Sequence, residues 1–335
     1  MPILNTLNLS VGYRKNKSCT TIISGLNLEL KRGVLVALVG ANGIGKSTLL
    51  RTLVGNQQPI SGGININNQN ITKISNKELS HLLSIVNTDR TQAGGLTVEE
   101  LVALGRQPYT GFLGILDKND RNIVSESMLS AGIAHKAKHF LAELSDGERQ
   151  KAMIAKALAQ QTPIIILDEP TAFLDVESRL ETMLLLHNLA HKQNKAILLS
   201  SHDLSQSLML ADELWVINHK REMFCGNTED IALSGILNNI FTSPNITFDP
   251  IEGDFRIKRS TNQSVNLICN DDTLRKWITN ALNRNNIDID EKNTAPITIK
   301  AHSSTEINIL CNKNNVQAKS IAETISFLTE LIRLP

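Results

Sequence analysis

The run Val34-Leu35-Val36-Ala37-Leu38-Val39, followed at once by Gly40-Ala41-Asn42-Gly43-Ile44-Gly45-Lys46-Ser47, constrains this chain more than any other feature. An unbroken apolar run suits a strand buried on both faces, as in a parallel sheet. The residues after it match G-x-x-x-x-G-K-[ST] between that strand and a helix beginning near Lys46, the context the motif requires. The glycines Gly40, Gly43 and Gly45 let the backbone turn its N–H groups toward phosphate oxygens, and the helix N-terminus adds its positive end. Asn42 and Thr48 belong to the same stretch. Lys46 is expected to reach the β- and γ-phosphates, and the Ser47 hydroxyl to ligate Mg²⁺. A glycine-rich turn with no ligand does not explain why every position matches.

A second buried strand, Ile164-Ile165-Ile166-Leu167, ends in Asp168-Glu169. Carboxylates at the carboxyl end of a parallel strand lie where open α/β sheets bind ligands. Asp168 is expected to hold the Mg²⁺ hydration shell, and Glu169 to polarise an attacking water. A third apolar run at 196–199 precedes Ser200-Ser201-His202. Strands of this kind separated by helical patterns predict an α/β core. Shorter strand-like pieces at 7–11 and 26–30 precede it, and about 94–160 reads as a helical insertion.

From about Asn245 the chain turns asparagine-rich and reads strand (265–269), helix (273–283), two strands near 296–300 and 306–311, then a last helix. Leu274, Trp277, Ile278, Ala281 and Leu282 form one apolar stripe at helical spacing; Ile321, Ile325, Leu328 and Ile332 form another. The expected domains are therefore residues 1–244 and an accessory α/β domain at 245–335, regulatory or dimer-bracing or a packing appendage, with no motif for chemistry.

The charge balance of +1 argues against a general nucleic-acid binder. No secretory leader is apparent, and no apolar run approaches the roughly 20 residues of a membrane span. Cys19, Cys225, Cys269 and Cys311 are scattered and read as reduced thiols of a cytosolic protein. His135/His139 and His187/His191 have the i,i+4 spacing of a chelating pair, but no carboxylate or thiolate partner is evident. Both pairs are expected on solvated helix faces.

Leu144-Ser145-Asp146-Gly147-Glu148 reads first as a helix start, with Ser145 and Glu148 at capping-box spacing. Its place ahead of Asp168-Glu169 also resembles the signature of the ATP-binding cassette ATPases, and the similarity covers roughly residues 1–240. Tyr13 matches that family's adenine-stacking aromatic, Ala172-Phe173-Leu174-Asp175 its D-loop, and His202 its γ-phosphate switch histidine. The resemblance implies a P-loop NTPase core with an N-terminal antiparallel β subdomain and a helical insertion. It also implies that Glu169, His202 and Lys46 carry catalysis. ATP and Mg²⁺ are then held in a head-to-tail homodimer, where Ser145, Gly147, Glu148 and Asp175 of one copy complete the site of the other. One departure stands out: with 83–86 as the strand after the phosphate-loop helix, Thr88 takes the place of the family's Mg²⁺-ligating glutamine.

Leu101-Val102-Ala103-Leu104-Gly105-Arg106-Gln107-Pro108-Tyr109 looks like the group importing ferric siderophores, haem and cobalamin. That likeness implies a peripheral subunit on the cytoplasmic face of the inner (plasma) membrane. It would dock on integral-membrane permease subunits, be coupled indirectly to a substrate-binding protein, and have no nucleic-acid partner. The alternative is a soluble cassette ATPase acting on nucleic acid or a protein complex.

Overall fold

Strand Val34–Gly40 lies where its apolar run demands, inside a six-stranded sheet and buried on both faces. The computed structural model describes residues 1–15, 18–87, 95–111, 114–257, 263–290, 292, 294–311 and 314–333. These divide into two compact units, Met1–Arg256 and Ile257–Pro335.

In the first unit the sheet runs Met223–Asn227, Glu213–Ile217, Val34–Gly40, Ala196–Ser201, Ile164–Leu167, Leu83–Val86. Every pairing is parallel except that of the Met223–Asn227 edge. The carboxyl ends of Val34–Gly40, Ala196–Ser201 and Ile164–Leu167 are therefore neighbours, which gathers the glycine loop, His202 and Asp168-Glu169 on one edge. A second, antiparallel sheet is built around the long strand Pro2–Lys15, which pairs with Ser18–Leu26, Glu29–Lys31 and Ser61–Ile66. The piece expected at 7–11 is part of Pro2–Lys15, whereas 26–30 is no single strand: it joins the end of Ser18–Leu26 to the start of Glu29–Lys31 through residues 27–28, which lie in neither.

The expected helical insertion contains Val98–Ala103, Lys118–Ser130 and Asp146–Ala159, each opened by a capping box. The Leu101 to Tyr109 pattern now has a packing explanation. Leu101 and Val102 are buried, and a Cβ on Gly105 would stand 2.3 Å from the Lys156 carbonyl oxygen. Arg106, 3% exposed, donates to Asp120 Oδ1 (2.8 Å), the Ala159 carbonyl (2.8 Å) and Gln161 Oε1 (2.9 Å). Its guanidinium lies 3.8 Å over the Tyr109 ring and holds the Asp120 carboxyl below its ordinary pKa. Gly105 and Arg106, with the Tyr109 hydroxyl donating to the Gln160 carbonyl at 2.9 Å, anchor the C-terminal end of helix Asp146–Ala159. Removing one partner of a buried ion pair strands the other, so Arg106→Leu is expected to cost about 3–5 kcal/mol in chemical denaturation. A loss below about 1 kcal/mol, the scale of an exposed pair, would contradict this bracing role.

The first unit extends beyond residue 244, to Arg256: strand Ile246–Asp249 pairs with Asp254–Ile257, and Phe248 and Phe255 pack onto the core. The second unit has its own five-stranded sheet, ordered Asp288–Ile289, Ser264–Cys269, Ile297–Ser303, Glu306–Cys311, Asn314–Ala318, and helices Asp272–Arg284 and Ile321–Arg333. Leu274, Ile278, Ala281 and Leu282 are buried as their stripe predicts, and so is Leu328. Trp277 is not: it sits at the edge of the stripe and is 62% exposed. Ile321 and Ile325 are half-buried, and the Ile332 side chain lies outside the described residues. All four cysteines are free. Among the described residues no helix is long and apolar enough to cross a membrane.

Candidate functional site

The glycine loop is built so that only glycine fits at its key turns. Gly43 and Gly45 have φ of 72° and 125°, a region that disfavours residues with a Cβ. A Cβ on Gly45 would lie 2.7 Å from the Ile22 side chain, and one on Gly40 would lie 2.8 Å from the Ile217 carbonyl oxygen. Helix Lys46–Leu53 follows directly and directs its first N–H groups into the loop.

Lys46 is buried, and its Nζ donates to the Gly40 and Ala41 carbonyls at 2.8 and 3.3 Å. The same Nζ lies 3.4 Å from His202 Nδ1. Burial lowers the Lys46 pKa from its ordinary value, opposed by the nearby carboxylates of Glu169 and Asp168. Ser47 Oγ is 3.4 Å from Asp168 Oδ1, so a hydroxyl and a carboxylate oxygen face each other across the end of the sheet. Hard oxygen donors of this kind fit Mg²⁺. Glu169 contacts His202 Nε2 through Oε1. Tyr13 is 52% exposed, and its hydroxyl lies 2.8 Å from Thr48 Oγ1.

Ser200 is a member that motif reading missed. Its hydroxyl donates to Asp168 Oδ1 at 2.7 Å and accepts the Glu169 N–H at 2.8 Å. Glu169 has φ 51°, a left-handed conformation costing on the order of 1–3 kcal/mol for a residue with a side chain, and the Ser200 bond helps hold it. The available signal was a serine pair ending an otherwise apolar strand.

Ser145, Gly147, Glu148 and Asp175 form a separate group. Ser145 caps helix Asp146–Ala159: its Oγ accepts the Glu148 N–H (3.2 Å) while Glu148 accepts the Ser145 N–H (3.0 Å). The bond from the Ser145 N–H, with help from Lys136, holds the Glu148 carboxyl below its ordinary pKa. Asp175 caps helix Val176–Gln193 by accepting the Ser178 N–H at 2.7 Å, which lowers its pKa too. A Cβ on Gly147 would lie 2.5 Å from Ser178 Oγ, so the two helix starts touch only because position 147 is glycine. Among the described residues no hydrogen bond joins this group to the phosphate-loop group. Thr88 lies outside the described residues.

His135 and His139 are exposed as expected, but they share no helix face: His135 lies in the short 3-10 turn Ala134–Lys136 and His139 in the loop after it. The expectation for His187 and His191 needs correction: a carboxylate partner exists, with Asp212 Oδ1 3.0 Å from His191 Nε2.

Residues 23–172 match the family described as ABC transporter, and residues 262–329 match that described as iron ABC transporter C-terminal domain. An uncharacterized ABC transporter ATP-binding protein of Methanocaldococcus jannaschii is 36% identical over 269 residues, spanning 80% of this chain and 91% of the relative. The petrobactin import ATP-binding protein FpuD of Bacillus anthracis is 34% identical over 251 residues, spanning 75% of this chain and 90% of its own length. A metal-chelate type ABC transporter solved in an inward-facing conformation is similar with a TM-score of 0.64 at 27% identity, covering 76% of this chain and 96% of the solved one. Two acidic and basic side-chain sets on one sheet edge, a glycine loop and these relatives agree: the chain belongs to the ATP-binding proteins of the ABC transporter family, ATPase cassettes that bind and hydrolyse ATP.

Proposed function

We propose that two copies of this chain enclose two ATP molecules head to tail and spend their hydrolysis on driving an integral-membrane importer of an iron chelate, a siderophore or haem, or of cobalamin. The convergence of Lys46, Ser47, Asp168, Glu169 and His202 on one sheet edge carries the reading. Backbone N–H groups of residues 40–48 and the Lys46 ammonium hold the phosphates of ATP, and the exposed Tyr13 ring stacks on adenine. Ser47 and Asp168 hold Mg²⁺, with Thr88 as a further oxygen ligand. When bound, that ion neutralises charge on the β- and γ-phosphates. Glu169 accepts a proton from the attacking water, and His202, anchored by Glu169, contacts the γ-phosphate.

The helix start at Ser145, Gly147 and Glu148, with Asp175 beside it, is free of the phosphate-loop group of its own chain. A capped helix N-terminus suits an anion, and the γ-phosphate on the partner copy is the fitting one. ATP then favours the closed dimer through its higher affinity for that state, and hydrolysis releases it.

The cargo class is supported by the iron-transporter family match at residues 262–329, by the relative named for petrobactin import and by the solved metal-chelate type transporter. These favour import over action on nucleic acid. The chain then works as a peripheral subunit on the cytoplasmic face of the plasma membrane, and a substrate-binding protein delivers cargo to the permease outside. In detergent or nanodiscs, the chain is expected to co-purify with its permease and to raise ATP turnover when a loaded binding protein is added. Stimulation by DNA or ribosomes, with no permease association, would overturn the reading.

A further inference from the structure

Helix Val176–Gln193 ends close to the start of strand Glu213–Ile217, and there it carries His187 and His191 four residues apart on one face. The two imidazole centroids are 4.3 Å apart, with 36° between the ring planes. Asp212 faces them from the residue just ahead of the strand, and His191 Nε2 lies 3.0 and 3.2 Å from its two oxygens. One ligand atom from each of the three residues lies within 4.8 Å of the others. We propose that His187, His191 and Asp212 bind a divalent transition-metal ion of the Zn²⁺ class, which clamps the end of this helix to the strand that feeds the phosphate loop.

The donor set decides which metal. Two imidazoles and one carboxylate suit Zn²⁺ and its first-row neighbours, whereas Mg²⁺ selects oxygen ligands. The site therefore does not duplicate the nucleotide's own metal. Histidines four apart on a helix chelate zinc from one face, and a third ligand from elsewhere in the fold completes the protein's share. Zinc–ligand bonds of about 2.0–2.2 Å need the three atoms somewhat closer than 4.8 Å, an approach that side-chain rotation supplies.

Asp212 is already oriented for the task. Its Oδ2 accepts the Leu35 N–H at 2.7 Å, which fixes the carboxylate and leaves Oδ1 toward the histidines. The end of a helix carries partial negative charge, which further favours a cation. The His191 side chain is 43% exposed, so a fourth position is open to water. Leu35 belongs to strand Val34–Gly40, whose end is the glycine loop, so the clamp acts on the element that carries the phosphate site. The competing account is an ion pair of His191 with Asp212 alone, in which His187 has no part.

Zinc titration of the nucleotide-free full chain by calorimetry, with Mg²⁺ in excess, separates the two accounts. The unmodified chain should bind one equivalent and gain thermal stability as zinc is added. His187→Gln should lose at least about tenfold in affinity, since even an outer partner of a zinc ligand is worth that much. It should also lose the zinc-dependent rise in Tm while keeping its zinc-free Tm and ATP turnover. Equal zinc affinity in the unmodified chain, His187→Gln and a His187→Gln/His191→Gln double variant would place the metal elsewhere and sink the proposal. So would absence of zinc binding by the unmodified chain.

Discussion

Glu169→Gln is expected to lower ATP turnover by about 10²–10⁴-fold, the range for removal of a positioned general base. ATP affinity should barely change, because glutamine keeps the size and one oxygen of glutamate but cannot take up a proton. The contact with His202 also survives in weaker form, since an amide oxygen still accepts a hydrogen bond. The separation of binding from turnover is the informative part. Pre-steady-state measurement should show nucleotide bound but not cleaved. Turnover within a factor of a few of the unmodified chain would remove Glu169 from its proposed role.

Lys46→Ala is expected to act differently, lowering turnover by about 10²–10³-fold and weakening nucleotide binding as well. Lys46 is the buried cation beside two carboxylates, Asp168 and Glu169, and it supplies the donor nearest to both the loop carbonyls and His202. Removing it leaves those carboxylates facing an incoming polyphosphate with no ammonium between, so like charges repel where they formerly were bridged. Fluorescent-nucleotide titration and steady-state turnover together check this. Unchanged nucleotide affinity would mean the backbone N–H groups alone carry the phosphates.

The phosphate loop and the acidic strand were legible because their residues are contiguous and each sits at the end of an apolar run. Buried parallel strands announce themselves by composition, and motif residues follow at fixed offsets. What escaped reading depends on contacts between distant segments. Asp212 belongs to a different element from His187 and His191, and only the sheet order brings them together. Arg106 could be seen as part of a family-like string, but its burial depends on Asp120 and on the C-terminal end of a later helix. Ser200 looked like the polar end of a strand, and its two bonds to the acidic pair follow from the neighbouring of Ile164–Leu167 and Ala196–Ser201. The Trp277 stripe failed at its edge: helical spacing identifies a face, but a residue on its flank is buried only if the opposing layer reaches that far. The hairpin at 246–257 shows the same limit, since asparagine-rich composition marked a change of segment but not where Phe248 and Phe255 would pack.

If each ATP site is shared between two chains, as proposed, two inactive variants should restore one another when mixed. Lys46→Ala removes the phosphate-loop half of a site and leaves the signature half intact. Gly147→Val does the reverse, because its side chain would run into Ser178 at the start of the neighbouring helix. Either variant alone should hydrolyse ATP at a small fraction of the unmodified rate. When the two are mixed and allowed to exchange, dimers form in which the Lys46 of one chain faces the Gly147 of the other, and ATP turnover should rise well above the sum of the separate variants. Full turnover by Gly147→Val on its own, or a mixture no more active than its parts, would contradict a shared site.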